Sequence, residues 1–344
     1  MAQNPPYKIC FVPRSKEEEE EDEKIYKRYS EIVATLPTKE GWWGKPIYQY
    51  QGFWYNSGAF GVGPLAVQDH FKPRPTDVLV ASIPKGGTTW LKSLVFAVLN
   101  RKSHPPSAQH HPLLIFNSHD LVPVMEMMLY SNILNGNRIP RLDILPSPRL
   151  FGTHMPYTSL PQSVALSSPR IVYICRNTKD TLVSWWHFTN KMRSNNSLEP
   201  MELEEAFDRF CKGMTSPGPF WEHVLGYWKA SLERPQNVLF LKYEQMVDEP
   251  ALHLKRIAEF MGCPFSSIEE EKEGVVDQII KLCSFENLSN LAVNKTEENG
   301  SGFPNRVFFR QGKVGDSANY LSPEMMDQLD RITKQKFHGS GLTL

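Results

Sequence analysis

Residues 77–101, DVLVASIPKGGTTWLKSLVFAVLNR, run from an aliphatic, β-branched segment through two glycines straight into a helical one. A strand apolar on both faces needs cover on both, and a helix that follows at once supplies it by crossing to a parallel neighbour. The pattern recurs. RLF around Phe151, RIVYIC (Arg170 to Cys175) and VLFL (Val238 to Leu241) alternate with TLVSWWHF, FWEHVLGYWKASLE and LHLKRIAEFMG, which carry helical periodicity. The expected fold class is α/β: one domain with a central parallel sheet flanked by helices and a P-loop-like strand-loop-helix at its start.

The turn itself reads as an anion site. Gly86 and Gly87 let the backbone come close to a ligand, and the free N–H groups at the helix start face it with the positive end of the helix dipole. Lys85 adds a charge and Thr88 and Thr89 add two hydroxyls. A Walker loop has its Lys after the glycines and a hydroxyl to hold magnesium, whereas Lys85 comes before them. That order argues against a nucleoside-triphosphate kinase.

Elsewhere the chain restricts the choice of partner. Lys plus Arg equals Asp plus Glu at 38 each in 344 residues, so no global field draws it to nucleic acid or an anionic membrane. The five cysteines lack a CxxC pair, and no apolar run reaches the length of a signal peptide or a membrane span, so the expected location is cytoplasmic. Residues 1–23, with seven successive acids from Glu17 to Glu23, are expected to be a flexible acidic arm, and 24–344 the single domain. A helix is expected from Lys24 to about Leu36, extended chain over Tyr48 to Tyr55, and a last helix opened by Ser322 and Pro323 and ended near Gly339. His110 and His111 lack metal-ligand spacing and read as solvated; no metal is implied.

Three motifs then point to one family. IPKGGTTW, the stretch YICRNTKD with Ser184 beyond it, and THMP around His154 resemble the YPKSGTTW, YxxRNxKD…S and KTHLP or THxP elements of cytosolic, soluble sulfotransferases. GWW, YQYQGFWY and HPLL are similar to the plant-type branch, and the likeness extends from about Gly41 to Leu342. The resemblance implies a co-substrate, 3′-phosphoadenosine 5′-phosphosulfate (PAPS), with PAP as product, and a hydroxylated small molecule as acceptor. On this likeness Lys85, Gly86, Gly87, Thr88 and Thr89 hold the 5′-phosphosulfate, and Arg176 and Ser184 hold the 3′-phosphate. Arg310, Gln311 and Gly312 correspond to the family's RKGxxGDW loop over the nucleotide. Trp90, Tyr243 and Cys283, Ser284 and Phe285 correspond to its adenine site.

Sulfuryl transfer needs a base for the acceptor proton and positive charge on the leaving oxygen. His154, at the end of an expected strand and matching the family's catalytic His, takes the first role, and Lys85 the second. Phe53, Trp54, Tyr157, Trp186 and Phe188, which adjoin the motifs, are the expected walls of an apolar acceptor pocket for a flavonoid, a steroid-like hormone or another hydroxylated metabolite. The chain departs from the pattern at Gly86 (Ser or Thr in the family), Gly152 (Lys), Gln311 (Lys) and Ser317 (Trp). A non-catalytic PAP- or ligand-binding relative and a P-loop kinase are the alternatives. The family's dimer motif would fall at Ala318 to Asp327, where its Lys and Val are missing, so a monomer is expected.

Overall fold

The computed structural model describes residues 5–300 and 302–344. Strands β1 (Thr38–Lys39), β2 (Ile47–Tyr50) and β3 (Phe53–Asn56) form an antiparallel sheet; β4 (Val78–Ser82), β5 (Leu150–Thr153), β6 (Arg170–Cys175) and β7 (Val238–Lys242) form a parallel one in the order β5-β4-β6-β7. Among the described residues the helices longer than ten residues are α1 (Lys16–Thr35), α2 (Thr88–Asn100), α3 (Thr178–Asn195), α4 (Phe220–Glu233), α5 (Pro250–Phe260) and α6 (Pro323–Phe337).

Strand alternation divides the core in two. Leu79, Ala81, Phe151, Ile171 and Tyr173 face one apolar cluster, while Val78, Val80, Val172, Ile174, Leu239 and Leu241 face the other, which α2 and α5 complete. Both faces are therefore dry, as continuous aliphatic strands require. The register sets Ala81 beside Thr153, Ser82 beside Ile174 and Cys175 beside Lys242. All four strands thus end at one edge, and the residues that follow them are brought together there.

Two expectations change. The acidic run is not an arm: Ser15 caps α1 in a reciprocal capping box with Glu18, and Glu17, Glu18 and Glu19 sit in the first turn, where the helix dipole favours negative charge. The helix therefore begins at Lys16, eight residues before Lys24. Asp22 is buried, paired with Arg14 at 3.1 Å and accepting from the Ile139 amide at 3.0 Å. Tyr7 and Cys10, also within the expected arm, are buried as well. The first four residues of that arm lie outside the described residues. The second change is His111, which is buried rather than solvated: its Nδ1 accepts from the Leu113 amide at 3.1 Å, and burial lowers its pKa to about 4.

The segment expected to be extended is the β2–β3 hairpin, turning at Gln51 and Gly52. The last helix is as read: the Ser322 side chain accepts from the Met325 amide and Pro323 is its first residue. Among the described residues no helix is long and apolar enough to cross a membrane.

Candidate active site

Where β4 to β7 end, a cavity of about 370 Å³ opens, and the loop after β4 forms its floor. Gly87 caps α2 at φ 112°, and a Cβ there would stand 2.9 Å from the Tyr243 ring and 3.0 Å from Ile174. Only glycine lets this turn come so close to β6 and β7. Thr88 Oγ1 lies 2.6 Å from Ser82 Oγ, which ties the loop to its strand. Lys85 holds a left-handed φ of 69°, and its ammonium stands 4.4 Å above the Phe188 ring. Burial, then the charges of Lys191, Arg310 and Arg176, depress its pKa to about 7. Gly86 is behind the floor and does not line the cavity; a side chain there would begin 3.0 Å from the Ile83 carbonyl.

His154 follows β5 directly. Its Nδ1–H donates to the Ser82 carbonyl at 2.8 Å, which leaves the proton off Nε2 and makes that atom an acceptor in the cavity. Burial lowers the His154 pKa to about 3, against the opposing effect of the Ser82 bond. The imidazole is thus neutral, with its base atom free. Its backbone is fixed from two sides. Glu126 accepts from the His154 amide at 2.6 Å and from the Thr153 hydroxyl at 3.0 Å, and His223 Nε2–H donates to the His154 carbonyl at 3.0 Å.

Arg176 follows β6 and stands over the Tyr243 ring with its guanidinium carbon 4.8 Å from the centroid. It pairs with Asp180 at 3.0 Å and donates to the Lys313 carbonyl. Burial works to raise the Asp180 carboxyl. Bonds from Asn177 and from the amides of Gly315 and Ser317, with the Arg176 charge, outweigh it and hold the pKa near 2. Asp180 accepts from Gly315 N at 2.8 Å and Ser317 N at 3.0 Å, so the segment from Arg310 to Ser317 is pinned over the cavity by its main chain. This explains how the loop stays in place with serine where the family has tryptophan. Tyr243 donates to the Gly312 carbonyl at 3.2 Å, and Gly312, at φ 64°, has no room for a Cβ, which would meet the Phe285 ring at 2.6 Å. Trp90 meets Tyr243 edge-on at 5.6 Å.

The cavity brings together Lys85, Gly87, Thr88, Thr89, Trp90, His154, Arg176, Ser184 and Phe188. Tyr243, Cys283, Ser284, Phe285, Arg310, Gln311 and Gly312 line it too. Four expected acceptor walls lie elsewhere. Phe53 packs with Tyr48 and Phe60 but, unlike Phe60, does not reach the cavity, and Trp54 lies under the Lys39 ammonium. Tyr157 packs on Tyr227, and Trp186 donates to the Met201 carbonyl at 2.7 Å. The error has a simple cause: closeness in sequence does not fix direction. Trp186 is two positions from Ser184, about 200° around the helix, whereas Ser184, Phe188 and Lys191 follow the i, i+4, i+7 stripe and all face the cavity. That spacing could have revealed Lys191. Trp43, Phe60, Met127, Met128, Phe303 and Phe308 also line the cavity; of these only Trp43 falls in a marked segment, GWW, and its place there did not point to the site.

The site can take an elongated anion. Arg176 Nε and Arg310 Nε are buried without a protein partner, and four cations, Lys85, Arg176, Lys191 and Arg310, share one cavity. A nucleotide with two separated phosphate groups fits this donor set.

The sulfotransferase domain model matches residues 75–341. Cytosolic sulfotransferase 15 of Arabidopsis thaliana is 45% identical over 326 residues, covering 94% of this chain and 89% of its own. Cytosolic sulfotransferase 5 of the same plant is 47% identical over 311 residues, covering 90% and 94%. Among solved structures, a candidate steroid sulphotransferase of Arabidopsis thaliana aligns with TM-score 0.72 at 38% identity, covering 94% of this chain and 97% of its own. A mouse sulfotransferase complexed with PAP aligns with TM-score 0.67 at 26% identity, covering 86% and 95%.

Proposed function

The chain belongs to the sulfotransferase domain family and is a PAPS-dependent enzyme, and from that premise we propose that it transfers the sulfuryl group to a hydroxyl of a small, largely apolar acceptor, with His154 as base and Lys85 on the leaving group. One observation carries the reading: a neutral imidazole with its acceptor nitrogen turned into the cavity shares that cavity with a cluster of cations.

In this reading His154 Nε2 takes the acceptor proton as the oxygen attacks sulfur. Lys85 meets the charge that builds on the departing phosphate oxygen, and so contributes more in the transition state than before it. Thr88, Thr89 and the amides of the loop hold the 5′ end of the nucleotide; Arg176, Ser184 and Arg310 hold the 3′-phosphate. Trp90, Tyr243 and Phe285 surround the base. Phe188 and the Met127, Met128 and Phe308 side chains offer the acceptor an apolar wall that strengthens electrostatics at His154. We place the enzyme in the cytosol, as the names of the curated relatives have it for those proteins. Incubation with labelled PAPS and a panel of hydroxylated flavonoids, steroids and other metabolites tests the reading, which fails if neither a sulfated product nor released PAP is found.

Gln311 gives a finer test of the nucleotide assignment. It lines the cavity from an exposed position in the loop, so Gln311→Lys adds a charge that water screens in part. Titration calorimetry should show PAP binding about threefold to tenfold tighter, a gain of about 0.7–1.4 kcal/mol. AMP, which lacks the 3′-phosphate, should gain nothing. Equal gains for both nucleotides would detach the loop from the 3′-phosphate.

We also propose a monomer. Ser322 and Pro323, within the stretch where the dimer motif would fall, are engaged in starting α6. Light scattering at micromolar concentration should give the mass of one chain, and a stable dimer would overturn this.

A further inference from the structure

A second histidine faces the same cavity and no motif accounts for it. His119 lies in a single helical turn whose cap, Asn117, accepts from the His119 amide at 2.9 Å and bonds Asn294 through its own amide at 2.7 Å. The ring stacks on Phe308 with centroids 4.3 Å apart. One nitrogen, Nδ1, is 3.1 Å from the Lys92 ammonium, and the other, Nε2, is 3.2 Å from Thr89 Oγ1 in the anion-binding loop.

Lys92 is wholly buried in α2, an unusual place for a lysine. Burial lowers its pKa to about 7, and the charges of Glu126 and Asp120 oppose that fall without cancelling it. Lys92 also fills the space above Gly152, two residues before His154: a Cβ at Gly152 would stand 2.7 Å from Lys92 Cε and 2.9 Å from its Nζ. A side chain at position 152 would have to push the end of Lys92 aside. The chain has one cation here, delivered from α2 instead of β5.

The consequence for His119 is chemical. In its charged form, which prevails below pH 7, Lys92 has only donors, so His119 Nδ1 accepts from it and the imidazole proton sits on Nε2. Burial, Lys92, His154 and Lys85 all keep the ring from taking a second proton. His119 is therefore a neutral donor aimed at the floor of the cavity. This is the opposite tautomer to His154, whose proton is on Nδ1.

We propose that His119 is a second catalytic residue, donating from Nε2 to an oxygen of the transferring sulfuryl group, with Lys92 as the positioning residue that sets its tautomer. The proposal rests on the sulfuryl-transfer reading above. In the step, the acceptor oxygen bonds to sulfur, the bond from sulfur to the phosphate oxygen breaks with its electron pair going to that oxygen, and the acceptor proton goes to His154 Nε2. His119 keeps its own proton throughout. Its 3.2 Å contact with Thr89 is long enough to be shared with an incoming oxygen.

Kinetics and ¹⁵N-histidine NMR on the full chain test this. His119→Ala should lower kcat about a hundredfold, the scale for one lost oxyanion donor, with PAP affinity within about threefold. His119→Gln, whose Nε2–H₂ can reach the same place, should recover at least tenfold of the loss. At pH 6, where Lys92 is charged, the ring nitrogens of His119 should report Nε2 protonated and Nδ1 bare, and Lys92→Met should let the Nδ1–H form appear while kcat falls in step. A merely structural His119 would give no glutamine recovery, and its tautomer could change in Lys92→Met without kcat following. Turnover by His119→Ala within threefold of wild type, or a wild-type ring protonated at Nδ1, overturns the proposal and leaves the sulfuryl-transfer reading standing. A wild-type protein that binds no PAP overturns that reading first, and this proposal with it.

Discussion

His154→Asn abolishes transfer, with kcat down by about a thousandfold, within the range lost when a general base is removed, while PAP affinity stays within about threefold. Asparagine is the informative replacement. Its side-chain amide can donate to the Ser82 carbonyl in place of Nδ1–H, so the buried acceptor keeps its partner at 2.8 Å and the strand edge its shape. Alanine would leave that carbonyl unpaired, at a cost of about 1–3 kcal/mol, and confuse lost chemistry with lost stability. What asparagine lacks is a nitrogen lone pair to take the acceptor proton. The nucleotide should bind as before, since its phosphates are assigned to the loop after β4 and to Arg176 and Arg310. Release of labelled PAP in single-turnover runs, beside calorimetry of PAP binding, measures both quantities. Undiminished turnover would remove His154 from the mechanism, and a parallel loss of PAP affinity would place it on the nucleotide instead.

The parts of this site that were legible in the sequence are those bound to the backbone. Strand ends in a parallel sheet fall at one edge, so a residue just past an apolar run, such as His154 or Arg176, can be placed from pattern alone. Gly87 and Gly312 announce themselves because their positions exclude every side chain. What could not be read were contacts set by packing between distant segments. Phe60 and Phe303 reach the cavity from opposite ends of the chain, and neither stands beside a motif. The acidic run failed for a different reason: composition describes solvation, but a single capping serine and a dipole that welcomes glutamate turned Glu17 to Glu23 into helix. Lys92 was hidden most completely. It reads as one charged residue in a largely apolar helix, and its end fills the space that the absent side chain of Gly152 leaves.

Lys85→Met should cost more in turnover than in binding: about a hundredfold to a thousandfold in kcat, and at most about tenfold in PAP affinity. The asymmetry follows from where the charge is needed. Before transfer Lys85 is one of four cations around the nucleotide, and the loop amides with Thr88 and Thr89 carry much of the 5′ contact. During transfer it is the one assigned to the bridging oxygen. The same residue should also govern pH dependence. Burial, with Lys191, Arg310 and Arg176 nearby, holds the Lys85 pKa at about 7 in the free protein, and an arriving phosphate raises it. Below pH 7 Lys85 is charged both before and after binding, and no proton moves on its account. Above pH 7 it is neutral before and charged after, so each PAP that binds takes up a proton, and affinity declines as pH rises toward the pKa of the complex. Calorimetry at pH 8 in buffers of different ionisation enthalpy should detect that uptake in wild type and not in Lys85→Met, and the variant's affinity should vary less between pH 6 and pH 8. Unchanged turnover with weakened binding would reduce Lys85 to a phosphate contact. A proton uptake that survives the substitution would assign the titration to another group in the cavity, of which Lys191, the nearest charge by its effect on Lys85, is the first to replace.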